Sequence, residues 1–247
     1  MAWHLAPALD NAGYPVKEVW SRNKKHAAAL TERLYQAEVM DSLDFSRSNS
    51  SIFIIAVSDD AIETIAQEIA LPDNVILAHT SGAQPIGLLG YAATPEIGVF
   101  YPLQTFSKAK KVSFADIPVF VEYETDYVKR TLIKMAHAIS DKVAEISSED
   151  RMALHVAAVF ASNFTNHMLT LSKEVMDENG LNFDWLKPLI AETLNKSLTI
   201  GPENAQTGPA KRSDMEVLDK HFEFLSDDDK AELYKMISQH IINRYSK

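Results

Sequence analysis

The chain has 247 residues, enough for one large domain or two modest ones. It has no cysteine, which excludes disulfides, zinc–thiolate sites and a catalytic thiol. Its formal net charge is −10, and its one basic cluster, Lys108, Lys110 and Lys111, is too small a footprint for nucleic-acid binding. No apolar run is long enough to span a bilayer, and Met1-Ala2-Trp3-His4 lacks the basic and apolar regions of a signal peptide, so a cytoplasmic address is expected.

Residues 2–12 read as a helix ended by Gly13. Residues 16–20 follow as a short strand between turn formers, and residues 24–36, rich in Ala and Leu, as a helix. The continuous apolar run 51–57 has the character of a strand buried on both faces, and residues 61–70 follow it as a helix. Residues 74–78, 97–101 and 117–122 read as further strands. Strand alternating with helix implies a mostly parallel, doubly wound α/β sheet of Rossmann type. After a helix near 126–139 and a short run at 142–146, nearly everything is helical: a long helix over 148–176, another from Asn182 to about residue 200, one opened by the capping-box pattern Ser213-Asp214-Met215-Glu216, and a last one after Ser226. The expected domains are therefore residues 1–146, of dinucleotide-binding type, and residues 147–247, an all-α domain.

A doubly wound sheet ordinarily begins with a strand and a glycine-rich turn, and here the helix comes first. Loss of that central strand would leave two neighbours with unpaired backbone groups. Either Met1 is internal to a longer reading frame, the favoured reading, or another segment fills the slot.

Several polar groups fall where such folds carry chemistry. Ser21-Arg22-Asn23 closes the first strand, where an acid would bind a ribose hydroxyl and an Arg accommodates a 2′-phosphate. With Arg22 and no acid there, NADP is the expected cofactor; a solvated Arg in a polar turn is the competing account. Val57-Ser58-Asp59-Asp60 and His79-Thr80-Ser81-Gly82 also close strands and face the crevice of a parallel sheet. Asp59 reads first as a helix cap. Ser81 offers a hydroxyl, and Gly82 lets backbone approach a ligand, although a turn without a role fits the spacing equally. On the long helix, His155 and Asn163 share a stripe with residues 159, 166 and 167 amid apolar neighbours. They suit a general acid and an orienting amide, or core groups bonded to other helices. Lys211 and Arg212 suit an anionic substrate, or Arg212 pairs with Asp214.

The ordered set His79-Thr80-Ser81-Gly82, Tyr101-Pro102-Leu103-Gln104-Thr105-Phe106-Ser107, His155 through Asn163-Phe164, and Thr207-Gly208-Pro209-Ala210-Lys211-Arg212-Ser213-Asp214 closely resembles a bacterial family of NADP-oxidoreductase-like proteins. These pair a Rossmann-like domain with a helical domain of uncharacterised function, sometimes under a deazaflavin-coenzyme label. The resemblance covers essentially the whole chain and extends distantly to pyrroline-5-carboxylate reductase and the β-hydroxyacid dehydrogenases. It implies NADP at Ser21, Arg22 and Asn23; Val57, Ser58, His79 and Ser81, in the turns that close the neighbouring strands, are expected beside it. It implies an interdomain substrate cleft lined by His79, Ser81, Gln104, His155 and Asn163, and a homodimer formed through the helical domain. The family pattern opens with a strand and Gly-x-Gly-Asn ahead of a segment like Met1-Ala2-Trp3-His4-Leu5, and this chain starts inside it. The related dehydrogenases use a Lys and an Asn on the long helix; His155 stands here with no Lys on that face, so their mechanism does not carry over intact. The expected activity is hydride transfer between NADP(H) and a small carbonyl or imine, with His155 as proton donor, Asn163 orienting, and Lys211 or Arg212 on a substrate carboxylate. The alternative is a dinucleotide-binding regulator or sensor without turnover.

Overall fold

A computed structural model describes residues 1–246. The chain divides into two compact units, Met1–Asn163 and a second from Phe164 onward.

The first unit contains α1 (Ala2–Asn11), β1 (Glu18–Val19), α2 (Lys24–Thr31), β2 (Glu38–Val39), β3 (Ile52–Ile55), α3 (Ile62–Glu68), β4 (Ile76–His79), β5 (Ile97–Pro102), β6 (Val119–Tyr123), α4 (Asp126–His137), β7 (Val143–Glu145) and α5 (Ser148–Ala158). Its strands form two sheets: β1 and β2 pair in parallel, and β3-β4-β5-β6-β7 form the larger one. β1 and β3, the two strands expected to flank a central first strand, are each paired on one side only, and no other described segment joins them.

In the larger sheet the register Leu77↔Ile97 and Ile55↔His79 makes β3, β4 and β5 parallel. The parallel pattern does not extend to β6, which runs antiparallel to β5 with Gly98 opposite Tyr123 and Pro102 opposite Val119. The physical reason lies in the connection. Residues 103–118 hold no helix to carry the chain back across a face, and parallel pairing needs such a crossover. Helix α4 supplies one between β6 and β7, which are parallel again.

Two-residue alternation sorts the side chains into two cores. Ile76, Ala78, Phe100, Val119 and Val121 pack with α1 and α4 on one face, through Leu5, Leu9, Val128 and Leu132. Phe53, Ile55, Leu77, Val99 and Tyr101 pack with α3 on the other, through Ile62 and Ile65. β4 and β5 are buried throughout, as continuous apolar strands should be, whereas β3 buries only Phe53 and Ile55. Gly98 lets α4 lie close: a Cβ there would sit 2.7 Å from Leu132 Cδ1 and 2.9 Å from Val128 Cγ1.

Helix α5 begins at a cap where Ser147 Oγ accepts the Asp150 N–H. After Ala158 the helix does not break but widens into a π-helical segment, Val159–Phe164. The compositional change falls near residue 147 and the packing division sixteen residues later, because Arg151, on α5, is buried within the first unit.

The second unit comprises α6 (Thr165–Glu178), α7 (Lys187–Ile200), α8 (Pro202–Ala205), α9 (Met215–Phe224) and α10 (Asp228–Tyr245). Ser213 is not the cap of α9. It stands in the left-handed region at φ 54°, and Asp214 accepts the Val217 N–H instead. Asp227 caps α10 by accepting from Lys230 N. This unit has little core of its own. Neither α6 nor α7 has a buried residue, while Leu189, Leu194, Leu198 and Ile200 of α7 are exposed. An open groove of about 580 Å³ is lined by Leu171, Met176, Leu218, Phe224, Leu233 and Ile237.

Candidate functional site

Parallel strands bring their carboxyl ends to one edge, and the chemistry-bearing turns follow from it. The turn after β1 holds Ser21, Arg22 and Asn23. Asn23 Oδ1 caps α2 by accepting the Lys25 N–H at 3.1 Å, and Ser21 Oγ accepts the Asn23 N–H at 3.3 Å. Both side chains keep a donor, the Ser21 hydroxyl and the Asn23 amide. Arg22 is exposed. The first turn of α2 contains no acid, so its N-terminal N–H groups and Arg22 offer positive potential together. Lys24 is paired with Asp41 at 2.5 Å.

The turn after β3 is exposed at Val57, Ser58, Asp59 and Asp60. Ser58 is the N-cap residue of a short 3-10 helix that starts at Asp59, so Asp59 sits in the first turn of that helix. A hydrogen bond from Ser58, with a smaller contribution from the Arg22 guanidinium, holds the Asp60 carboxyl below its ordinary value. Arg22 therefore lies within electrostatic reach of the turn after β3.

The turn after β4 is the best-ordered part of this edge. The Ser81 N–H donates to His79 Nδ1 at 3.1 Å, and Ser81 Oγ accepts from Ala83 N at 3.1 Å and Gln84 N at 2.9 Å. His79 itself has no exposed surface, and its Nε2 makes no hydrogen bond. The structure thus places His79 beneath the turn, supporting it. Burial, reinforced by the Arg151 charge, pushes its imidazole down to about 4, so it is neutral at ordinary pH.

Arg151, absent from the sequence reading, ties this turn to the long helix. It is 1% exposed. Its NH1 donates to the Ser81 carbonyl at 2.9 Å, while Nε and NH2 donate to Glu122 Oε2 at 3.0 and 2.8 Å. Ser148 Oγ donates to the other Glu122 oxygen at 2.5 Å. One buried cation thereby links α5, β6 and the turn after β4, with its charge and donors matched as burial requires.

One turn along α5, His155 lies half-buried against that same turn. Its Nδ1 is 3.1 Å from the Tyr101 hydroxyl. A Cβ at Gly82 would lie 2.4 Å from His155 Nδ1 and 2.8 Å from Tyr101 Cζ. The glycine expected to admit a ligand instead admits the imidazole. Burial raises the Tyr101 hydroxyl above its ordinary value. Asp59 adds to that effect, and its charge also bears on His79, so this carboxylate faces the same cluster.

The remaining expected residues lie apart from this cluster. Gln104 is exposed and folds its Oε1 onto the Thr105 N–H at 2.8 Å. Asn163 is exposed, lies in the π-helical segment, and makes no hydrogen bond to His155. In the second unit, Lys211 Nζ donates to the Gln206 carbonyl at 2.8 Å and lies 5.1 Å from the Tyr245 ring, so it serves its own loop. Arg212 is exposed and forms no ion pair with Asp214, which caps α9. Among the described residues no cluster of acids and histidines could hold a metal ion, and no helix is long and apolar enough to cross a membrane.

A mostly parallel sheet, with polar turns at its carboxyl edge and a helical unit following, defines a protein of Rossmann-like oxidoreductase fold. The chain belongs to the family of the domain of unknown function DUF2520, whose model matches residues 117–241. It is similar to a structure described as an NADP oxidoreductase by assignment from Bacteroides fragilis, with 36% identity, a TM-score of 0.89, and 98% of this chain and 93% of that one covered. An imine reductase from Myxococcus stipitatus in complex with NADP+ shares the fold at 13% identity and a TM-score of 0.68, over 99% of this chain and 96% of that one. So does a pyrroline-5-carboxylate reductase from Coxiella burnetii, at 15% identity and a TM-score of 0.57, over 99% and 93%. No curated protein matches the chain.

The neutral, buried His79 gives a pH dependence with a definite sign. Unfolded, the group titrates near 6.5; folded, near 4. Between those values the unfolded chain binds the extra proton, so its contribution to stability is complete above about pH 6.5 and is lost as pH falls toward 4. The loss is expected to approach about 3 kcal/mol. Urea unfolding across that window should show a steeper acid decline for the native chain than for His79→Gln; equal slopes would contradict the assignment.

Proposed function

We propose that the protein is an NADP-dependent oxidoreductase that transfers hydride between NADP(H) and a small carbonyl or imine. The observation that carries this reading is an exposed Arg22 at an acid-free helix N-terminus, its charge reaching the turn after β3, together with a pinned His155–Tyr101 pair where β5 meets α5. The similar proteins named for NADP or its chemistry support it.

Residues and cofactor fit each other. Arg22 provides a planar, charge-assisted grip suited to a 2′-phosphate, and the Ser21 hydroxyl and Asn23 amide retain neutral donors for the same group. On this reading Val57 and Ser58, exposed after β3, border the adenosine half. When bound, the nicotinamide would supply or accept the hydride. The protein's part is positioning. Ser81 and Gly82 hold the turn against α5, and His155 presents an imidazole nitrogen to the reacting group. On this reading Asn163 and Gln104 border the substrate, and Arg212 offers a charge for an anionic one. His79 acts by supporting the Ser81 turn.

The helical unit is proposed to form a homodimer interface. Helices α6 and α7 have no fully buried residue, and Leu198 is 88% exposed, a large apolar face to leave in water.

Thermal melts test the cofactor reading. NADPH should raise the melting temperature of the full chain more than NADH does, and Arg22→Ala should weaken NADPH binding roughly tenfold to a hundredfold, about 1.5–3 kcal/mol for a charged hydrogen-bond donor. His155→Ala should keep the NADPH shift. Equal shifts for both nucleotides would remove the role of Arg22, and no shift would remove the nucleotide reading. For the interface, Leu198→Asp should convert a dimer to a monomer in sedimentation; a native chain already monomeric at high concentration would contradict it.

A further inference from the structure

Tyr101 belongs to the apolar strand β5, yet its hydroxyl meets the imidazole of α5. The ring is 7% exposed. Its oxygen lies 3.1 Å from His155 Nδ1 and makes no other hydrogen bond among the described residues. A phenol has one hydrogen to give, and a buried donor left unpaired is costly. That hydrogen therefore goes to Nδ1. Burial outweighs the opposing Arg151 charge and favours the phenol over the phenolate, so the donor stays in place.

The imidazole is held from the other side as well. The backbone of Gly82 is so near that a Cβ would come within 2.4 Å of Nδ1 and 2.8 Å of Cγ. The turn carrying Gly82 cannot retreat, because the Ser81 carbonyl is bound to the buried Arg151 of α5. The two ring edges thus differ. Nδ1 faces the protein and the Tyr101 hydroxyl; Nε2 has no partner among the described residues and is not sealed from solvent.

We propose that Tyr101 is a positioning residue that fixes His155 in the tautomer carrying its hydrogen on Nε2. The site then offers a neutral N–H donor at its open face. Such a donor selects a substrate atom that accepts a hydrogen bond, a carbonyl oxygen or an unprotonated imine nitrogen, and polarises the bond from that atom to its carbon. It disfavours a protonated iminium, whose N–H would meet another donor. This rests on the reading of His155 as the group nearest the reacting atoms, and it names the substrate class that reading leaves open.

The test needs no substrate. Full-length chain labelled with 15N-histidine is observed by long-range 1H–15N correlation above about pH 8, where an ordinary imidazole is neutral. The His155 signals are identified by their loss in His155→Gln. The native protein should show the pattern of an Nε2–H tautomer, with a strongly shifted, unprotonated Nδ1. Tyr101→Phe keeps the ring and removes the hydroxyl, and should move both nitrogens toward the averaged shifts of mixed tautomers while NADPH still raises the melting temperature. A merely structural tyrosine would leave the pattern unchanged. An Nδ1–H pattern in the native protein, or a pattern indifferent to Tyr101→Phe, would overturn the proposal. An absent NADPH shift with the expected tautomer would instead overturn the nucleotide reading alone.

Discussion

A guanidinium at 1% exposure sets the geometry of this edge of the molecule. Arg151 cannot keep its charge there without full compensation, and it finds that in Glu122 of β6 and the carbonyl of Ser81. Three elements far apart in sequence are thereby joined. Because Arg151 and His155 are one helical turn apart, anchoring the first places the second. Gly82 is then needed where the imidazole arrives, and Tyr101 is positioned to meet its inner nitrogen. Removing the arginine would leave Glu122 as an uncompensated, mostly buried charge and would also release the turn on which His155 rests.

The sheet supplies the other half of the arrangement. Alternation along β4 and β5 directs Ile76, Ala78 and Phe100 to one core, and Leu77, Val99 and Tyr101 to the other. The carboxyl ends of β3, β4 and β5 consequently emerge together, with Asp59, His79 and Tyr101 within electrostatic reach of one another. Arg22 belongs to the smaller sheet, yet its charge reaches Asp60 beside β3. Both ends of the proposed ligand are thus served by turns rather than by strand interiors, where function commonly resides.

Strands β3 to β6 were legible because apolar runs such as Ile52–Ile55 and Ile97–Pro102 have few other fates in a chain of this composition, whereas β2, the exposed pair Glu38–Val39, has no such run to mark it. The helical half was legible from its periodicity and caps, within a residue or so at the starts of α9 and α10. What sequence could not supply were pairings between distant segments. The reversal of β6 depends on a helix-free connection, and an apolar run carries no sign of direction. Arg151 looked like an ordinary charge in an amphipathic helix, although an Arg one turn before a candidate His was the available signal. Tyr101 looked like core, which it also is. The π-helical turn contains neither Gly nor Pro to mark it, so the stripe through His155 and Asn163 was drawn on the wrong periodicity. Lys211 donates to the Gln206 carbonyl and His79 is fully buried, two placements that residue order alone does not reveal.

The central claim is that the turn at Ser21, Arg22 and Asn23 receives a phosphorylated adenosine. Amide chemical shifts during titration with 2′,5′-ADP, and separately with 5′-AMP, address it most directly, since these fragments lack the nicotinamide and report on one end of the site alone. The bisphosphate should bind at least tenfold more tightly and move the signals of Arg22, Asn23 and Lys24 first. Equal affinity for the two fragments, or perturbations confined to other segments, would contradict it.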